Sequence, residues 1–137
     1  MIDATIPEDW PNADLAEFLP VYASWLAEDP GLLGLGPWLS VERESRTLVG
    51  GAGFHGPPKD GAVEIGFDTV AAFRNRSYAA EAARALVEWA LLRPDVHRVV
   101  AGCVPGNAPS MRVLEKIGMR VTEGPAGGGM RWEIRGV

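Results

Sequence analysis

Several places in this sequence carry side chains whose type and spacing could do chemistry. Glu64 lies between Val63 and Ile65 in an apolar stretch. If that stretch is a strand, Glu64 faces opposite to both neighbours, because side chains alternate along a strand. A carboxylate facing a cleft can gain a raised pKa and serve as a general base. A carboxylate facing water is an ordinary polar residue of an antiparallel strand. The run Arg74-Asn75-Arg76-Ser77-Tyr78-Ala79 falls between a strand and the strongest helix. A loop at that place aims backbone N–H groups at one point, in line with the helix dipole. With its two arginines it suits a pyrophosphate, and it also suits a plain strand-to-helix connection with solvated arginines.

Asn107 and Ser110 stand three apart at a helix start. Helix capping accounts for that pair without any ligand. Cys103 sits in an apolar strand and reads as a buried small hydrophobe. His97 is six residues away, roughly 20 Å along a strand, which is too far for a nucleophilic pair. Neither His nor Cys lies at a familiar metal-ligand spacing, so no metal is expected. Gly51, Gly53 and Gly56 match the spacing GxGxxG. A dinucleotide fingerprint must open a helix, and Pro57-Pro58 forbids one here.

The elements that must position these residues follow from periodicity. Asn12 reads as an N-cap, followed by Leu15, Phe18, Leu19, Tyr22, Trp25 and Leu26 at helical spacing. Pro20 is expected to split this stretch into two short helices. Strands are predicted at 38–43, 47–55 and 62–70, forming an antiparallel meander. A helix over 78–92 precedes a buried strand over 98–104. A second helix over 107–117 ends at Gly118. Two last strands, 119–123 and 130–135, flank a glycine-rich loop. The order predicts one mixed α/β domain.

Composition agrees with one domain. The chain has 137 residues, 47% hydrophobic, with 5 Trp. That supports a single core and excludes a disordered chain. The net charge of −5 argues against a duplex nucleic-acid binder, which needs a basic surface. One Cys excludes a disulfide framework. There is no apolar run long enough for a membrane span and no basic segment leading into an apolar one. A cytoplasmic protein is expected, with no membrane or nucleic-acid partner.

Taken in order, these pieces resemble the GNAT superfamily of acetyl-CoA-dependent N-acyltransferases. The resemblance is carried by Val63-Glu64-Ile65-Gly66-Phe67, by Arg74 to Ala82, and by Asn107-Ala108-Pro109-Ser110-Met111-Arg112-Val113-Leu114-Glu115-Lys116-Ile117-Gly118-Met119. The last stretch is similar to the branch that includes ribosomal-protein N-terminal acetyltransferases. The early Glu8-Asp9-Trp10-Pro11 is similar to that branch too.

The resemblance implies a splayed, mostly antiparallel sheet flanked by helices, with acetyl-CoA entering between the strands 62–70 and 98–104. It places the pyrophosphate on Arg74, Asn75, Arg76, Ser77, Tyr78 and Ala79. It pairs the pantetheine with backbone at Thr69 and Val70, beside Asn107 and Arg112. It makes Glu64 the general base and sets Ser110 near the thioester sulfur. The implied reaction is acetyl transfer to a primary amine, either a small molecule or a protein or peptide N-terminus. The acceptor pocket is expected from 25–37 and 123–130.

Departures from the family pattern are also legible. Ser77 stands at a family glycine, which matters if the position needs positive φ. Ala71 stands at a usual proline, and Leu114 where many members carry a tyrosine. These departures leave open a CoA-binding or sensing domain without catalysis, or a structural domain without acyl-CoA affinity. The family's first strand has few residues to occupy at the start. Its absence would leave the strand 38–43 with a bare edge, to be covered by a second subunit.

Overall fold

The structure is a computed structural model and describes residues 3–103, 106–124 and 129–136. Its elements are α1 (Ala13–Glu28), β1 (Pro37–Glu42), β2 (Thr47–Phe54), β3 (Ala62–Thr69), α2 (Tyr78–Leu91), β4 (Arg98–Cys103), α3 (Ala108–Lys116), β5 (Arg120–Glu123) and β6 (Met130–Arg135). Val104, expected to end the fourth strand, and residues 125–128 lie outside the described residues.

The six strands form one sheet in the order β1-β2-β3-β4-β6-β5. Antiparallel pairing joins every neighbouring pair except β3 and β4, which run parallel. The β3–β4 pairing covers only Ala62↔Arg98, Val63↔Val99 and Glu64↔Val100. Beyond Glu64 each strand stays with its other neighbour. β3 follows β2 to Thr69, and β4 follows β6 to Cys103. The sheet therefore opens at Glu64. This is the mixed architecture that the element order predicts, with the splay that the resemblance implies.

The two faces of the β2–β3 pair differ sharply. Ala52 pairs with Phe67 and Phe54 with Ile65. These four residues join the core with Ala83, Leu86 and Val87 of α2 and Leu114 of α3. The residues between them point the other way. Gly51 pairs with Asp68 and Gly53 with Gly66, and this face lies toward α1. The glycine pattern of 51–56 thus bares the backbone of one face, with no nucleotide fingerprint in it.

One expectation needs correction. Pro20 does not break the first helix: α1 runs 16 residues through it. Proline removes one bond, to the Ala16 carbonyl, and both residues are exposed, so water can satisfy that oxygen. Phe18, Tyr22 and Trp25 stack along the opposite side and hold the helix together. At the start of the chain, one residue takes the place of a strand. Thr5 donates its N–H to the Arg46 carbonyl and accepts from the Leu48 N–H, both at 2.8 Å. This bridge lies on β2, so β1 remains an outer strand of the sheet among the described residues. Trp38, Leu39 and Val41 on β1 are substantially exposed.

Several local signals act as read. Asn12 caps α1 through the Leu15 N–H at 2.8 Å. Gly118 closes α3 at φ +91, and the Met119 N–H reaches the Leu114 carbonyl at 3.0 Å. Among the described residues no helix is long and apolar enough to cross a membrane.

The close approach of β1 to β2 generates a prediction. A Cβ at Gly53 would lie 2.4 Å from the Gly36 carbonyl oxygen and 2.7 Å from the Pro37 Cα. Both are backbone atoms, so neither yields cheaply. Gly53→Ala should destabilise the fold by about 1–3 kcal/mol, as overpacking does. A lower urea midpoint at unchanged m-value is the expected reading.

Candidate functional site

The opening of the sheet creates a cavity of about 480 Å³ between β3, the start of α2, and α3. Thr69, Arg74, Asn75, Ser77, Tyr78, Ala79, Asn107, Ser110 and Arg112 all line it. These residues span more than 40 positions of sequence, and the fold gathers them at one place. Three of the expected site residues lie elsewhere. Val70 is buried, and its N–H is donated to the Val49 carbonyl at 2.7 Å. That bond already engages the N–H within the fold. The Arg76 guanidinium sits over the Phe73 ring, 5.2 Å from its centre. Glu64 lies at the point where the strands part, outside this cavity.

The loop before α2 has an unusual backbone. Asn75 and Ser77 both occupy the left-handed region, at φ 64 and φ 65. Asparagine visits that region readily, whereas serine does so at a cost. The loop is folded back on β3 by Arg74, whose Nε donates to the Thr69 carbonyl at 3.1 Å. Ser77 makes no side-chain cap bond, and its hydroxyl lies 3.5 Å from the Lys116 Nζ. The first-turn amides of α2 are therefore not capped by that side chain. Helix-start amides of this kind favour an anion. Arg74, Arg112 and Lys116 add positive charge around them. The sequence reading did not single out Lys116. Asn107 does cap α3, accepting from the Ser110 N–H at 3.3 Å, so capping and cavity lining coexist in one residue.

Tyr78 is tied down at its far end. Its hydroxyl donates to a Glu42 carboxylate oxygen on β1. That bond pushes the phenol up. Glu42 is held low, first by the Ser45 hydroxyl at 2.6 Å and then by Tyr78.

A second cavity, also about 480 Å³, lies across the sheet under α1. Its floor holds Gly51, Gly53 and Gly66, and its walls include Asp14, Leu15, Phe18, Pro37 and His55. Of the segment 25–37 expected around an acceptor, only Pro37 lines it. Leu35 instead belongs to the buried core, and Leu32 packs against that core. Phe67 and Asp68 line both cavities. Burial pushes the Asp68 carboxyl up, and the Gly51 N–H and the Arg74 charge offset part of that shift. Glu64 lines neither cavity. Its Oε2 is 3.2 Å from the His55 Nδ1, with the two side chains 40% and 55% exposed.

Cys103 is buried, which pushes its thiol up, and its Sγ lies 4.0 Å from the Asn107 carbonyl. A thiol so placed acts as packing and not as a nucleophile.

A splayed sheet with an anion-suited helix start beside the opening defines a class, and sequence comparison gives the same one. The acetyltransferase (GNAT) domain model matches residues 4–120, and the chain belongs to that family. It is 40% identical over 111 residues to the uncharacterized N-acetyltransferase YjdG of Bacillus subtilis (strain 168), a match covering 80% of this chain and 66% of YjdG. It is 38% identical over 80 residues to the uncharacterized N-acetyltransferase YnaD of the same organism, covering 58% of this chain and 47% of YnaD. The chain thus spans less than two thirds of the length of either relative. Among solved structures, a GNAT-family acetyltransferase from Bacillus anthracis superposes with TM-score 0.66 at 26% identity, covering 90% of this chain and 82% of its own. The fold is shared with yncA from Salmonella typhimurium, solved with its cofactor acetyl-CoA, at TM-score 0.63 and 22% identity over 82% of this chain and 72% of that one. It is shared as well with the ribosomal-protein-S5-alanine acetyltransferase of Vibrio fischeri, at TM-score 0.68 and 14% identity over 84% and 67%.

The loop geometry predicts a stabilising substitution. Glycine at position 77 releases a left-handed strain of about 1–2 kcal/mol and loses about 0.4–1 kcal/mol to added freedom of the unfolded chain. Ser77→Gly should raise the melting temperature through a net gain of about 0.5–1 kcal/mol. An unchanged or lower melting temperature would show that serine is unstrained at this position.

Proposed function

We propose that this chain binds acetyl-CoA in the basic cavity and transfers its acetyl group to a primary amine. The observation that carries the reading is the gathering of Arg74, Arg112, Lys116 and the uncapped start of α2 around the parting of β3 and β4. In a chain of net charge −5 this is a local reversal of sign. It suits a pyrophosphate and a 3′-phosphate, and family membership supplies the chemistry that goes with them.

Bound acetyl-CoA supplies an activated thioester. The residues of the chain then have three tasks. The α2 amides and Arg74 hold the phosphates, while Asn107 and the backbone at Thr69 flank the pantetheine arm. Ser110, half-buried on α3, stands by the departing sulfur. The two cavities bring the thioester and an amine together from opposite sides of the sheet, which converts a bimolecular encounter into an oriented one. The amine is a small molecule or a protein or peptide N-terminus. The bare edge of β1 favours a homodimer, and the expected location is the cytoplasm.

Acetyl-CoA at a hundredfold excess over Kd should stabilise the fold by about 2.7 kcal/mol, read as a rise in melting temperature. Ser77→Asp should weaken binding, since a carboxylate there repels phosphate. No shift at millimolar acetyl-CoA would remove the reading. A shift without CoA release over an amine panel would leave a binding domain without catalysis. The dimer is tested separately: a monodisperse monomer by light scattering across a concentration series would reject it.

A further inference from the structure

We propose that Asp68, and not Glu64, receives the acceptor's ammonium and its proton, and that the acceptor is a primary alkylamine on a compact, largely apolar body. This rests on the acetyl-transfer reading above. If acetyl-CoA enters from the α3 side and the amine from the α1 side, they meet at the wall the two cavities share. Phe67 and Asp68 form that wall. Phe67 pairs with Ala52 on the core face and has no proton chemistry. Asp68 is the shared residue with a titratable side chain.

The register explains why an amine can reach it. Asp68 lies on the same face of β3 as Gly66, opposite Gly51 and diagonal to Gly53. Gly51, opposite Asp68, sets no side chain of its own over that carboxylate, while the His55 ring lies over Gly66 and the start of β1 lies against Gly53. Leu15, Phe18 and Pro37 give the body of the ligand apolar walls. Asp14, in the first turn of α1, adds a second carboxylate to the lining. Such a pocket prefers a cation at its inner end and carbon elsewhere. Asp68 is half-buried, so its attraction for a cation is screened less than at the surface. The charged and titratable groups that line the cavities with it are Asp14 on α1 and His55 just past β2 on one side, and Arg74, Tyr78, Arg112 and Lys116 on the other. Burial raises the Asp68 carboxyl toward proton uptake, the direction a base needs. Glu64 is paired with His55 and lines neither cavity.

The step balances as follows. The ammonium gives one proton to the Asp68 carboxylate, which frees the nitrogen lone pair. That pair forms the C–N bond to the acetyl carbon, and the C–S bond breaks with its electrons on sulfur. The second N–H proton leaves with sulfur as the CoA thiol. Asp68 then passes its proton to water.

The test measures CoA release by wild type, Asp68→Asn and Glu64→Gln with acetyl-CoA and two nucleophiles. One is a phenylalkylamine, protonated at neutral pH, and the other an arylamine, neutral at that pH. Asp68→Asn should lose about 10²–10⁴-fold in kcat/KM on the alkylamine, the usual span for general-base help, and less than about tenfold on the arylamine. Its acetyl-CoA thermal shift should persist. Glu64→Gln should stay within about threefold of wild type on both. Burial penalises the ionised Asp68, so the amide should fold at least as well, and Asp68→Ser provides a second variant. Full activity of Asp68→Asn, equal losses on both amines, or a larger loss in Glu64→Gln would each overturn the proposal. A wild-type chain that acetylates no amine would overturn the acetyl-transfer reading and this assignment with it.

Discussion

The site depends on where the hydrogen bonds between β3 and β4 stop. Three residue pairs hold the strands parallel, and after Glu64 and Val100 each strand follows a different neighbour. Backbone groups that part must find other partners or face a ligand or water. On the β3 side, Val70 turns its N–H to Val49, while Arg74 takes the Thr69 carbonyl. The opening is therefore stabilised from its edges. α2 and α3 close over it, bringing the loop 74–79 and the segment 107–116 to the same cavity.

A second constraint is the asymmetry of the β2–β3 pair. One face carries Ala52, Phe54, Val63 and Ile65 into the core under α2. The other carries Gly51, Gly53 and Gly66 and leaves room beneath α1. Large side chains on that face would fill the space and press on β1, where Gly36 and Pro37 already lie against Gly53. The same alternation that builds the core hollows out the side under α1. Asp68 is the polar group this face presents at the boundary between the two cavities.

The basic cavity shows a compromise between folding and binding. Two left-handed residues, Asn75 and Ser77, turn the chain into α2 without a side-chain cap. A serine that capped the helix would satisfy the amides that the proposed phosphates need. Here the Ser77 hydroxyl faces Lys116 across the cavity. Local strain at a helix start is a common companion of function, because the surrounding structure has to hold it in place. Tyr78, bonded to Glu42 on β1, and Arg76, over Phe73, supply part of that hold.

The sequence by itself determined the element order, the mixed α/β class and the family likeness. These rest on short-range physics: strand alternation, helical spacing, the Asn12 and Asn107 caps, and Gly118 at a helix end. The grouping of 69–79 with 107–112 was legible only through the family resemblance, since locally each piece reads equally well as a plain helix start. What stayed hidden depends on partners distant in sequence. Pro20 reads locally as a break, yet packing of Phe18, Tyr22 and Trp25 carries α1 through it. That the Val70 N–H bonds to the Val49 carbonyl is likewise decided by a partner distant in sequence. Glu64 and Asp68 share a face by their even spacing, and the sequence reading singled out only Glu64. Only the register against β2 and the place where β4 departs put Asp68 between the cavities and Glu64 outside them. Alternation fixes a face, but strand pairing decides what that face meets.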